Sequence, residues 1–322
     1  MKRSYFKIML VLIGFASLTL TSCKKGDSAT DETVSAQDVT NVSNAIHSTS
    51  DDATAAAGQV SSYKGLGLGG NWNTAGGNLF VDATITDTPS TGIVITYAGV
   101  NPCNGFYRSG TITITNTGGI PWHEAGAVLT VTYTNLKVTN GINTYILNGS
   151  HTITNVSGGL AWQVMAGLAP TSLTPNTSVT HQIQSSNMQI TFPNGTERSW
   201  TVNRTRIWAS SNGNTTFTVT VTSSPGSGNV TETGTNRFGE SFTNTISSPI
   251  IADNTTCEIW RPYTGTWTHV VGSNSLNVVF GTNNTGTQVG TPTYCPSIIG
   301  DYGYYITLTR GSGTRNRFVQ YW

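Results

Sequence analysis

Charge is what this sequence has least of. Charged residues make up 10% of its 322 positions, against about 25% in an average soluble domain. A net charge of +1 provides no basic stripe of the kind that grips nucleic acid. Low net charge with 36% hydrophobic residues also excludes a chain kept open by self-repulsion. The sequence has only 5 His and 4 Cys, and none of them falls at His-x-x-x-His or Cys-x-x-Cys spacing, so no zinc site is written in it. There is no Gly-x-Ser-x-Gly elbow, no phosphate-binding glycine loop and no EF-hand spacing of aspartates. Leu, Glu, Lys and Arg are sparse, while Thr reaches 55, Gly 36 and Asn 28. Such a balance favours strands joined by tight turns.

Long apolar runs are missing as well, with one exception at the start. Lys2, Arg3 and Lys7 precede the apolar stretch Met9 to Leu20, which is short for a spanning helix of about 20 residues. It ends in Leu20-Thr21-Ser22-Cys23. This resembles a bacterial lipobox, which implies a signal peptide over 1–22 and acyl chains of the palmitate type on Cys23. Several chains on one Cys anchor firmly, since each buried methylene adds roughly 0.8 kcal/mol. Lys24-Lys25 stands where an aspartate usually signals retention in the inner membrane. The expected location is therefore the outer membrane, with the periplasmic and cell-surface sides both open.

Residues 23–64 differ from the rest. Segment 24–64 holds six of the 15 carboxylates: Asp27, Asp31, Glu32, Asp38, Asp51 and Asp52. It reads mostly as a solvated spacer between lipid and body. Val39, Val42, Ala45 and Ile46 fall at helical spacing, so a short helix is expected there if it docks on the body.

From about Gly65 the period becomes two. Thr111 to Thr115, Leu129 to Thr134 and Phe217 to Thr222 alternate apolar residues with threonine. Ile93 to Ile95, Met188 to Phe192, Leu276 to Val278 and Ile306 to Thr309 add further strands. Alternation puts one face on a core and one in water. Turns are expected at Asn116 to Gly119, Asn140-Gly141, Asn148-Gly149, Pro193 to Gly195, Asn212-Gly213 and Pro225 to Gly228. The fold class is all-β: an antiparallel meander over 65–322, packed as a β-sandwich or a long twisted sheet. Near 170–178, where Pro170 and Pro175 bracket a polar stretch, either a boundary between two β-sub-domains or a long crossover is expected.

One resemblance spans most of the body. Arg108-Ser-Gly-Thr-Ile-Thr-Ile-Thr115, Glu124 to Val128, Thr132 to Leu136, Arg204-Thr-Arg-Ile-Trp208 and Gly234-Thr-Asn-Arg-Phe-Gly239 occur in order, followed by Cys257 and Gly265-Thr266. In these motifs the chain resembles a group of uncharacterised lipoproteins of Bacteroidota-type bacteria. The group brings no established activity and no catalytic residue. It often carries a further Cys before the first strand pair. Here the matching region, Leu79 to Ala83, has none, which leaves Cys103 without that partner.

With Cys23 assigned to lipid, three thiols permit one bridge and one spare. Cys257 with Cys295 is the preferred pair, because both flank the last strands; three reduced thiols are the alternative. Trp122-His123-Glu124 sets an imidazole beside a carboxylate, an arrangement that serves acid–base work only in a loop. The nine carboxylates of the body show no marked pair. Eight Trp read first as core mass, and secondly as a stacking face for sugars. Arg204, Arg206 and Trp208 share one strand face and suggest cation–π stacking, or a ligand surface for a polyanion. No cofactor is implied. The partners expected are the membrane, through Cys23, and a glycan or an envelope protein, with no nucleic acid. The function expected is that of a lipid-anchored cell-envelope protein with a non-enzymatic structural, adhesive or interaction role. A glycan-binding surface lipoprotein is the alternative, and a carboxylate-dependent hydrolase comes third.

Overall fold

The computed structural model describes residues 29–59, 82–88, 92–100, 106–210, 216–254, 261–289 and 302–321. The alternating runs all form strands. In chain order they are β1 (Ala83–Thr88), β2 (Gly92–Ala98), β3 (Tyr107–Thr117), β4 (Ala127–Asn140), β5 (Asn143–Asn155), β6 (Ser178–Thr191) and β7 (Glu197–Ser210). They continue as β8 (Phe217–Ser223), β9 (Val230–Thr235), β10 (Ser241–Asp253), β11 (Thr264–Val271), β12 (Asn274–Thr282), β13 (Gly303–Arg310) and β14 (Gly313–Gln320). Each pairs antiparallel with its sequence neighbour, apart from one local exception, to make a single 14-stranded sheet. At the exception, β8 and β9 share one position. β7 and β10 pair with β8 along one stretch and with β9 along another. The Pro225 to Gly228 turn breaks what would otherwise be one strand.

The body is thus a long single sheet and not a sandwich. The stretch at 170–178 lies in the connection between two neighbouring strands of that sheet. β5 and β6, which flank that stretch, pair from Ile146↔Thr191 to Asn155↔His181. The connection between them holds a short helix, α2 (Ala161–Met165), whose Ala161, Val164 and Met165 are buried. Another correction concerns Asn148-Gly149. It lies inside β5, where Gly149 faces Tyr133 across an irregularity in β4.

The main departure from the sequence reading is the segment expected to be mostly spacer. Ala29–Gln59 is one helix of 31 residues, α1, and no residue from Val34 to Gly58 is exposed. Val39, Val42, Ala45 and Ile46 are buried as their spacing implied, but so are Asp38, Asn41, Asn44, His47, Asp51 and Asp52. A helix buried on every side must be surrounded. Its hydrogen-bond partners come from β2, β3, β4, β5, β7, β9 and β11. Eight strand steps at about 4.8 Å would set β2 and β11 about 40 Å apart in a flat sheet, whereas a helix with side chains is about 10–12 Å across. The sheet therefore curls around α1.

Bulges supply the curvature. At Asn135 (φ 49°) β4 gains a residue over β3 and β5. Gly110 lies opposite, and a Cβ there would meet the Asn135 carbonyl oxygen at 2.7 Å. Gly265 does the same at β11, where a Cβ would sit 2.6 Å from Ile250 Cα. Both sites admit only glycine without a backbone shift.

Strand parity then sorts the residues. Ile112, Ile114, Leu129, Val131, Ile153 and Ile183 face inward and are buried, while Thr111, Thr113, Thr130, Thr132, Thr152 and Thr220 line the outer face. A lipid-facing barrel would carry an apolar band there. This outer face carries hydroxyls. No helix among the described residues is long and apolar enough to cross a membrane.

Candidate functional site

The residues with the richest chemistry lie between α1 and the inner face of the sheet. Residues 29–59 contain five carboxylates and no Lys or Arg. The inner face contributes the cations. Arg108 on β3 donates to Asp52 at 2.7 Å, and Tyr97 on β2 donates to the same Oδ2 at 2.6 Å. The Arg108 guanidinium also lies 4.4 Å from the Tyr97 ring centroid. Arg206 on β7 holds Asp51 at 2.6 Å and stacks on Trp208 at 4.7 Å. Arg237, in the turn after β9, grips both oxygens of Asp38 at 2.7 and 2.5 Å, and Tyr145 donates to that carboxylate at 2.8 Å. Arg204 pairs with Glu232 of β9, which also accepts from Ser43 at 2.6 Å and from Asn244 at 2.7 Å.

Four histidines join this layer. Arg204 donates to His47 Nε2, so that imidazole is neutral with its proton on Nδ1. His269 sits between Asn244 Oδ1 at 2.7 Å and Ser35 Oγ at 3.0 Å. His151 meets Ser50 at 3.0 Å. His181 packs between Trp122 and Trp208, with ring centroids 5.0 and 4.7 Å away.

Burial governs the electrostatics. It holds His151 and His181 down at about 3 and His269 at about 4, and it pushes His47 well below the ordinary 6.5, with Arg204 adding to the push. Asp38, Asp51 and Asp52 move upward, because burial outweighs the arginine beside each. At neutral pH these imidazoles are uncharged and too weakly basic for general-base work, which wants a pKa near the working pH.

A pH dependence follows from these directions. A histidine held below its unfolded value stays neutral in the fold and gains a proton on unfolding. Stability is then complete above pH 6.5 and falls as the pH drops toward 4 and 3. Each such proton is worth about 1.4 kcal/mol per pH unit. The three aspartates, raised by burial, act in the opposite sense above their unfolded 3.8. The urea midpoint is therefore expected to fall between pH 7 and pH 5, and His181→Asn to make that fall shallower. A midpoint that does not change over this range would contradict the buried histidines.

The other expected site residues are placed as follows. Arg204, Arg206 and Trp208 do share a face, and Arg206 does stack on Trp208, but all three are buried against α1. They offer no surface to a polyanion, because the face is the inner one. Trp122, Trp200, Trp208 and Trp267 are buried and Trp162 partly so, so these five form core, not a sugar platform. Trp72, Trp260 and Trp322 lie outside the described residues, as do Cys23, Cys103, Cys257 and Cys295, and with them the anchor and the expected bridge. His123 and Glu124 occupy a turn before β4, where Glu124 is exposed and its amide donates to Pro121 O at 2.8 Å. Among the described residues no group of three or more His, Asp or Glu gathers at a metal-ligand spacing. A cavity of about 20 Å³ between Trp122, Trp162, His181 and Trp208 has room for about one water.

Sequence reasoning missed the partnership between α1 and the sheet. Its signal was parity. Arg108 stands in register with inward Ile112 and Ile114, and Arg206 with inward Val202 and Trp208. A cation on a buried face needs a carboxylate, and segment 29–59 held them. No family model, no curated protein and no solved structure matches the chain.

Proposed function

We propose that this chain is a lipid-anchored protein of the bacterial outer membrane, tethered through Cys23, whose body is a non-catalytic scaffold with a structural, adhesive or interaction role. The observation that carries the non-catalytic part is how the ionisable groups are used. Asp38, Asp51, Asp52 and Glu232 are all committed to arginines between helix and sheet, and four of the five histidines are buried with them. The outer face offers threonine, asparagine and glutamine, which hydrogen-bond a partner and serve poorly as acids or bases. The resemblance of its sequence motifs to those of Bacteroidota-type lipoproteins supports the same reading.

The anchor has a geometric consequence. Five residues separate Cys23 from the first residue of α1, a reach of at most about 20 Å. The body would sit close to the bilayer, with its lipid attached to its own central helix. Cys23→Ala is expected to abolish fatty-acid labelling and to release the protein from the membrane fraction. Labelling that persists would overturn the anchor. Turnover of a polysaccharide or ester that disappears on replacing one exposed carboxylate, such as Glu124 or Glu240, would overturn the non-catalytic reading.

A further inference from the structure

The outer face carries a depression that sits over a defect in the ladder. Between Ser185 and Met188, β6 carries one residue more than either neighbour: Gln184↔Thr152 and Gln189↔Asn148 on one side, Ser185↔Val202 and Met188↔Trp200 on the other. The extra residue parts β5 from β6 and opens a hollow of about 520 Å³. That volume is within the ordinary range of small-molecule sites, roughly 300–1,000 Å³. Its rim is made of Ser150, Thr152, Gln184, Ser186, Thr201 and Asn203, and inward-facing His151 and half-buried Ser185 reach its wall.

Two polar atoms of that wall are buried without a partner, Ser185 Oγ and His151 Nδ1. The hydrogen-bond chain fixes the state of the imidazole. Ser50 donates its hydroxyl proton to Ile46 O at 2.7 Å, so it accepts from His151 Nε2 at 3.0 Å. The proton is on Nε2, and Nδ1 is a bare acceptor. Around it the contacts are long and replaceable: Thr152 Oγ1 to Gln184 O is 3.3 Å, and Gln184 Nε2 to Asn203 Oδ1 is 3.3 Å.

We propose that this hollow binds a neutral saccharide, whose hydroxyls meet the side-chain amides of Gln184 and Asn203 on its rim. The lining selects this chemistry. It holds no ionised group, so a charged ligand would lose hydration with no countercharge to replace it. Its hydroxyls and carboxamides both donate and accept, as sugar hydroxyls do. Ser150 and Ser185 beside His151 do not make a hydrolytic dyad, because an imidazole so weakly basic leaves serine unactivated. The inference rests on reading the outer face as a binding surface.

The test is titration calorimetry on the full-length protein in a non-glycosidic detergent, with maltotetraose, cellotetraose and chitotetraose as probes and oligogalacturonate as the anionic control. At least one neutral probe is expected to bind, and Gln184→Ala with Asn203→Ala to weaken it about tenfold or more. Thr266→Ala, on the outer face of β11, is expected to leave binding unchanged, and all variants to keep the parent melting profile. Binding by none of the neutral probes, equal binding of oligogalacturonate, or binding that survives the double substitution would each overturn the site. These outcomes are independent of fatty-acid labelling and of turnover, on which the scaffold reading stands or falls.

Discussion

A chain lacking residues 29–59 is expected to lose its cooperative unfolding transition altogether. The deletion removes Val39, Val42 and Ile46 from the core, and with them a run of small residues, Ala53 and Ala55 to Ala57, that lets the sheet approach closely. It also leaves Arg108, Arg206 and Arg237 without their carboxylates. An unpaired charge left inside a fold costs about 3–5 kcal/mol, and the whole stability of a domain is about 5–15 kcal/mol. Two or three such charges suffice to unfold it. Near-ultraviolet circular dichroism of the core tryptophans, followed through a urea titration, reads this out. The truncated chain is expected to give a featureless spectrum, and a synthetic 29–59 peptide added in trans to restore the signal. A sharp transition in the truncated chain would mean that the sheet carries its own core.

The second large effect concerns a single pair. Asp51→Ala is expected to destabilise the protein by about 3–5 kcal/mol, since it strands the Arg206 guanidinium in a space closed to water. Arg206→Met should cost a similar amount by stranding Asp51, plus the loss of stacking on Trp208. Replacing both, Asp51→Leu with Arg206→Met, should cost far less than the two together, because no charge is then left uncompensated. A double-mutant cycle from urea midpoints measures the difference. Additive effects would show that the two side chains do not meet. The same logic applies to Asp52 with Arg108, where Tyr97 adds a third partner.

The strands were legible because half their environment is water. A side chain that alternates between core and solvent writes a period of two, and Thr111 to Thr115 or Phe217 to Thr222 needs nothing more to be read. The turns at Asn140-Gly141 and Pro225 to Gly228 were legible for a similar reason, since positive φ demands glycine or asparagine in any context. Asn148-Gly149 misled because a bulge asks for the same residues as a turn. The helix was legible only in part. Amphipathic periodicity requires one wet face, and α1 has none, so its polar residues carried no phase. Asp38, Asp51 and Asp52 read as solvated in the sequence because carboxylates on an isolated segment usually are. What places them inside is the parity of arginines on strands up to 155 residues away, a relation that appears only once the register is known.

The same geometry makes the body a demanding fold to assemble. Helix and sheet meet through pairs separated by 56, 155 and 199 residues, so most of the sheet must form before the helix has its partners. Ser, Thr, Asn and Asp are frequent in α1 and prefer caps and turns to helix interiors. The helix owes its stability to the enclosure, and the enclosure owes its polar lining to the helix.

Amide hydrogen exchange across α1 tests this account most directly. If Val34 to Gly58 form the enclosed core, their amides should exchange only when the whole molecule unfolds, as slowly as those of β4, β5 and β7. Exchange of these amides within seconds, while the strands remain protected, would show a solvated spacer and contradict the account.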